Sequence, residues 1–308
     1  MQLRITHQTR YRYTPPVQHA QHMAWLQPIT TPWQQLQEFS LEVDPAPASQ
    51  HVSTNVFGNQ RCHFSLEQPH SELLVTARSL VQTTPPPIRY SHASCAQVRD
   101  QFAYRAGQQF SQAAEFLYPS PYVARDDAFA RYAASSLAPD RCLFEACIEL
   151  TARMHADFRY APDSTSLHTP ALTALEQRCG VCQDFAHIML SCLRGFGLPA
   201  RYVSGYLLTS PPPGQPRLIG ADASHAWVSV FLPDAHGEQV LEVEGVQQHG
   251  LWCDFDPTNN RFGWGTPGED YVTVAIGRDF GDVTPLRGVL HGGGQGHTLE
   301  VGVTVEPA

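Results

Sequence analysis

Short alternations of apolar and polar residues fill the first eighty positions. They run Leu3-Arg4-Ile5-Thr6, Thr9-Arg10-Tyr11-Arg12-Tyr13, Phe39-Ser40-Leu41-Glu42-Val43, His51-Val52-Ser53-Thr54-Asn55-Val56-Phe57 and Arg61-Cys62-His63-Phe64-Ser65-Leu66. A period of two sends successive side chains to opposite faces of a strand. Pro15-Pro16 breaks the first run, the Pro/Ala/Ser-rich stretch at 44–49 reads as a turn, and Gly58-Asn59 reads as a hairpin turn. A further run at 72–81 closes the stretch. Several strands with short turns and no convincing helix predict a small antiparallel β-sandwich over residues 1–84.

Pro85-Pro86-Pro87 then reads as a stiff linker and a domain boundary. Beyond it the texture becomes helical, with helices predicted over 96–104, 126–137, 140–155 and 171–177. A brief extended piece, Phe158-Arg159-Tyr160, and a polar loop at 164–170 separate the last two. After Asp184 the apolar stripe Phe185, Ile188, Met189, Cys192, Leu193, Phe196 has helical spacing and stops at Gly195 and Gly197. Strands follow at 201–208 (closed by Ser210-Pro211-Pro212-Pro213-Gly214), 225–232, 239–243 and 251–255, the last stopping at Asp256-Pro257. The picture is α+β: a core over 88–288, helices first and an antiparallel sheet second, with a C-terminal strand tail over 289–308.

Composition narrows the function classes. Hydrophobic content is 42% in 308 residues, enough for a substantial buried core. The net charge is -9 and the 20 Lys+Arg form no run, which argues against nucleic-acid or anionic-membrane partners. Met1 to His7 alternates without an apolar h-region, and no stretch approaches the ~18 apolar residues of a membrane span. The cytoplasm is the expected compartment, and the eight cysteines are expected to be reduced thiols. Gly292-Gly293-Gly294 lacks the Gly-Lys-Ser/Thr ending of a phosphate loop and reads as a turn.

The candidate chemistry centres on Arg178-Cys179-Gly180-Val181-Cys182-Gln183-Asp184-Phe185-Ala186-His187. Gly180 is expected to take backbone angles closed to other residues, bringing Cys182 to the start of a helix, where peptide dipoles favour the thiolate. A nucleophilic thiol needs a base, and the base needs a group that fixes its tautomer. Among 15 histidines, His225 opens a strand in Asp222-Ala223-Ser224-His225-Ala226-Trp227, with Trp227 expected on the same side. Asp256 ends another strand. Each residue taken singly has an ordinary structural reading; the order helix-Cys, strand-His, strand-Asp suggests a Cys-His-Asp triad.

These segments resemble the bacterial transglutaminase-like superfamily. The resemblance rests on Gly180 to His187, Ala200 to Tyr206, Ser224 to Trp227, Phe255 to Asn259 and Val274 to Val283, continuing through Pro285 to Gly288. Leu3 to Tyr13, Gly58-Asn59 and Pro69-His70 resemble the family's β-rich bacterial N-terminal domain. That domain usually has an acidic residue where this chain has Asn55. The resemblance implies a papain-like core, its Cys-bearing helix packed on an antiparallel sheet. Cys182 would be nucleophile, His225 general base and acid, and Asp256 the orienting carboxylate. Attack on an amide or peptide carbonyl would give a thioester, with the oxyanion held by the Cys182 N–H and a side-chain donor. Tyr160 is the chosen donor, and Gly180, Gln183 and Trp227 complete the substrate-positioning candidates. A peptide or protein substrate is expected, and no cofactor.

Two rivals remain. Cys179-Gly180-Val181-Cys182 is a Cys-x-x-Cys, open to a redox or zinc reading, although no second ligand pair lies in register. The same fold could also serve as a binding module without turnover. Within the enzyme reading, no residue marks an amine-acceptor site, so hydrolysis is expected ahead of transamidation.

Overall fold

The computed structural model describes residues 1–85, 88–107, 111–162, 164–167, 169–209, 224–233, 241–243, 246–248, 250–294 and 296–308. Pro86 and Pro87 of the expected linker, the 210–214 turn, His168 of the polar loop, Asp222-Ala223 and residues 239–240 of a predicted strand lie outside the described residues.

The opening alternation becomes one long strand. β1 (Gln2–Ala24) buries Leu3, Ile5, His7 and Thr9 on one face, as a period of two requires. It also runs on through Pro15-Pro16, where a break was expected. Pairing with its neighbour slips there from Arg12 to Val17, and a bulge is where a strand tolerates prolines. β2 (Gln34–Asp44), β3 (Ser49–Thr54), β4 (Gln60–Leu66) and β5 (His70–Thr83) give the order β2-β5-β1-β4-β3. β1 lies beside β5 over its first half and β4 over its second. The two layers of the sandwich are therefore one continuous sheet. Between them Ala20, Ala24, Cys62, Phe64 and Leu66 share a core with Leu73, Val75 and Ala77.

The middle of the chain supplies α1 (Cys95–Gln101), a 3₁₀ turn (Gln112–Leu117), α2 (Asp127–Ala133), α3 (Leu143–Asp157), β6 (Arg159–Tyr160), α4 (Ala171–Gln177), β7 (Cys179–Gly180) and α5 (Cys182–Gly195). Then come β8 (Ala200–Leu207), β9 (Ser224–Leu232), a small hairpin of β10 (Leu241–Val243) and β11 (Val246–Gln248), β12 (Leu251–Asp256), β13 (Arg261–Trp264) and β14 (Tyr271–Gly277). A five-stranded antiparallel sheet forms in the order β13-β12-β9-β8-β14. α5 packs on β8 and β9, flanked by α2 and α4. Every residue from Asp184 to Arg194 is buried, so the predicted stripe is in fact a helix covered on all sides.

β13, β14 and the last elements, α6 (Phe280–Val283) and β15 (Leu286–Gly292), had no predicted counterpart. Tyr271 to Ala275 is buried without a break and so gives no alternation to read. The predicted tail strand is β16 (Gly296–Pro307), and it returns to the N-terminal sheet. β16 pairs with β1 from Leu3↔Pro307 to Thr14↔Gly296, and β15 pairs with its second half. The sheet read as residues 1–84 thus gains two strands from the other end of the chain. Leu3, Ile5, Val81, Val303 and Val305 belong to the same buried cluster as the helices and the five-stranded sheet. Among the described residues no helix is long and apolar enough to cross a membrane.

Candidate active site

The loop before α5 is shaped by sterics and one carboxylate. α4 ends at Arg178, whose backbone is left-handed (φ 52°, ψ 36°). Gly180 itself is extended and pairs in parallel with Tyr160, so the expected special angles at Gly180 are not the reason for glycine. Space is the reason: a Cβ there would lie 2.6 Å from Asp184 Oδ2. That buried carboxylate accepts hydrogen bonds from the Val181 N–H (2.9 Å) and the Thr165 hydroxyl (2.7 Å). It ties the loop to the first turn of α5 and leaves half-buried Cys182 as the first helical residue, where the macrodipole favours negative charge.

His225 is the second residue of β9 and is buried, while Asp256 closes the neighbouring β12 and is fully buried. His225 Nε2 lies 2.7 Å from Asp256 Oδ2. The imidazole is also within hydrogen-bonding reach of Cys182. With Nε2 turned to Asp256, Nδ1 is the nitrogen left for the sulfur. Burial alone would push the imidazole pKa down, but the hydrogen bonds and charges of Asp256 and Cys182 overcome it and hold the pKa well above the ordinary value. Burial likewise opposes ionisation of Asp256, yet its pKa lies below the usual carboxylate value because His225, Asn259 and Tyr271 all donate to it. The Asn259 amide reaches Oδ2 at 2.8 Å and the Tyr271 hydroxyl at 2.7 Å, while the Thr258 N–H reaches Oδ1 at 2.8 Å.

The other expected residues divide. Tyr160 is half-exposed and paired with Gly180, and burial followed by the charge of Cys182 raises its pKa. Gln183 is half-buried in the first turn of α5. Trp227 does not face a substrate. It is fully buried, its indole N–H is taken by Asp254 at 2.8 Å, and its ring underlies His225 with centroids 6.0 Å apart. Cys179 is buried with its thiol toward Gln177, whereas Cys182 is partly open. Among the described residues no group of three or more His, Cys, Asp or Glu is placed to hold a metal. Asp184, Asn259 and Tyr271 were not singled out by sequence. Asn259 lies in the segment Phe255 to Asn259 that carries the family resemblance, and Tyr271 carries no local signal.

Two family models match the chain: the bacterial transglutaminase-like N-terminal region over residues 3–82 and the transglutaminase-like superfamily over residues 127–257. An uncharacterised protein of Mycobacterium tuberculosis is 38% identical over 304 residues, spanning 99% of this chain and 92% of that one. One from Mycobacterium leprae is 30% identical over 295 residues, spanning 95% and 94%. The fold is similar to that of a proposed cysteine protease from Cytophaga hutchinsonii, with a TM-score of 0.71 at 18% identity over 99% of this chain and 90% of that one. The chain belongs to the transglutaminase-like superfamily and carries its bacterial N-terminal region in front of the core.

Proposed function

We propose that the protein is a cysteine-dependent acyl-transfer enzyme acting on an amide or peptide bond, most simply as a peptidase or amidase. The observation that carries this reading is the buried His225–Asp256 pair, 2.7 Å apart, with Cys182 interacting with the same imidazole. In this reading the thiol proton passes to His225 Nδ1, and Asp256 stabilises the imidazolium that results. Cys182 sulfur attacks the carbonyl carbon, and the developing oxyanion is met by the Cys182 N–H at the start of α5 with Tyr160 as the side-chain donor. Collapse expels the amine, which takes its proton from His225, and leaves a thioester on Cys182. Water, activated by the now neutral His225, attacks the thioester and releases the acid.

Hydrolysis is favoured because bulk water is abundant and, among the described residues, no feature of the site selects an amine acceptor. The expected partner is a peptide or protein bearing the scissile amide. An acyl-donor screen with and without a primary amine, read by mass spectrometry, tests the proposal. Hydrolysed donor that disappears in Cys182→Ala supports it, and an amine adduct as the main product would make the enzyme a transferase. Undiminished turnover in Cys182→Ala would overturn acyl transfer at this thiol. Cys179→Ser is expected to retain activity, which separates this reading from a Cys-x-x-Cys redox or metal role.

A further inference from the structure

The geometry points to Tyr271 as a positioning residue for Asp256, and to the N-terminal sheet as the element that fixes Tyr271. The inference rests on the acyl-transfer reading and extends it to the part of the chain that carries no candidate nucleophile.

Three donors share one oxygen of Asp256: His225 Nε2 at 2.7 Å, the Tyr271 hydroxyl at 2.7 Å and the Asn259 amide at 2.8 Å. Oδ1 receives the backbone N–H groups of Thr258 at 2.8 Å and Asn259 at 3.3 Å. Asn259 and Thr258 belong to the same turn as Asp256 and move with it. Tyr271 does not. It comes from β14, at the opposite edge of the five-stranded sheet, and therefore references the carboxylate to the rest of the fold. Its ring is itself packed against Trp227 in a T-shaped pair, centroids 5.4 Å apart, and lies under the Arg261 guanidinium at 4.8 Å. Asp270 fixes Arg261 through two hydrogen bonds of 2.6 and 2.8 Å.

β14 pairs with β8 on one side only, and its outer edge would expose unpaired main-chain groups. Two side-chain amides of the N-terminal sheet cover that edge. Gln34 accepts from the Thr273 N–H at 2.7 Å and donates to the Thr273 carbonyl at 2.7 Å. Asn59, at the hairpin after Gly58, accepts from the Ile276 N–H at 2.9 Å and donates to the Ile276 carbonyl at 2.7 Å. A carboxamide can offer an N–H and a C=O side by side as a peptide unit does, so each acts as one residue of a partner strand; Gln34 also donates to the Ile29 carbonyl at 2.6 Å. Both are buried, which makes their bonds costly to lose. The chain of support runs from Gln34 and Asn59 to β14, from β14 to the Tyr271 hydroxyl, and from there to Asp256.

The test is the pH dependence of iodoacetamide alkylation at Cys182 in the full-length chain, with the modified cysteine identified by mass spectrometry. Compared are wild type, Tyr271→Phe, the Gln34→Ala/Asn59→Ala double variant, and the combination of all three. Glu42→Ala, on the outer face of the N-terminal sheet, is the control. Tyr271→Phe is expected to move the acid limb up by about half to one pH unit, because the carboxylate loses a donor that keeps it ionised. The double variant is expected to move the same limb the same way by less, and to add little in the Tyr271→Phe background. If the double variant does not fold, Asn59→Asp takes its place, since it keeps the size and the acceptor and loses the donor. A uniform slowing with an unmoved limb in Tyr271→Phe overturns the positioning role alone. A fully additive shift overturns the link to the N-terminal sheet. A wild-type Cys182 no faster than the other thiols overturns the acyl-transfer reading, and the positioning role with it.

Discussion

The two sheets handle charge in opposite ways. On the N-terminal sheet, ion pairs such as Arg78–Glu42, 2.7 Å apart, and Arg10–Glu72 lie on the outer face, half in water. On the five-stranded sheet, His225, Asp254 and Asp256 sit below the surface; His225 and Asp256 bond each other, and Asp254 accepts the Trp227 N–H through Oδ2. Exposed pairs are solvated and screened, and so are worth little. Buried groups are ionised only where surrounding donors replace water, and that replacement sets their protonation. The first sheet uses charge to stay soluble along its strands; the second uses it to hold a proton in one place.

Substitutions can sharpen or break that contrast. The largest effect is expected at the buried pair: Asp256→Asn should lower acyl-transfer turnover by about 100-fold or more, because the imidazolium loses its counter-charge. Steady-state kinetics would measure it, and a loss under tenfold would remove Asp256 from the mechanism. Arg194 comes next. Its guanidinium, at the end of α5, donates to the carbonyls of Ala200 (2.8 and 3.0 Å), Tyr118 (3.2 Å) and Arg278 (2.6 Å). Arg194→Met leaves buried acceptors unpaired and should cost about 3 kcal/mol or more in a denaturant titration.

Acid should act on the buried histidines. Burial lowers the pKa values of His7, His22 and His187 to about 4. His187 Nε2 accepts the Phe280 N–H at 3.2 Å, which a protonated ring could not do. Between the unfolded value near 6.5 and the folded value near 4, the unfolded chain binds the extra protons, so Tm should fall as pH drops through that window. The His225–Asp256 pair runs the other way on its histidine side. The raised His225 pKa contributes stability that is full below about 6.5 and is lost as pH rises through the folded value. The lowered Asp256 pKa contributes stability that is full above about 3.8 and is lost as pH falls through its own folded value. Both contributions are complete only between those limits. The thermal-stability difference between wild type and His225→Ala should therefore be largest at mildly acidic pH and shrink toward alkaline pH. A smaller effect is expected at Gly180→Ala, where the added methyl meets Asp184; about 1–3 kcal/mol and slower Cys182 alkylation are predicted. The smallest belongs to Glu42→Ala on the exposed face, within about 0.5 kcal/mol in the same titration.

The same contrast explains what could be read in the chain beforehand. Strands with one wet face announce themselves by alternation, so the sequence places β4 and β5 within two residues, and the second half of β2. β14 is covered on both faces and shows only a run of apolar residues, so it went unassigned, and Tyr271 with it. Cys182, His225 and Asp256 can be proposed from sequence because each stands near the end of an element inside a recognisable motif. Gln34 and Asn59 act on partners 239 and 217 residues away, a relation no local pattern carries. Sequence puts Trp227 on its strand but does not show that it is fully buried with its N–H taken by Asp254, because alternation gives a side chain's face and not what covers it.

The pairing of β1 with β16 also sets an order of events during synthesis. β1 is made before the five-stranded sheet, and the neighbour along one of its edges is made only after it. At ~5–20 residues per second, that edge waits roughly 15–60 s for its partner. A chain stopped short of β16 would leave its first strand open to pairing with another chain, and would lose Val303 and Val305 from the buried cluster shared with the helices and the five-stranded sheet. Completion of the N-terminal sheet thus reports that translation has passed the last strand it needs.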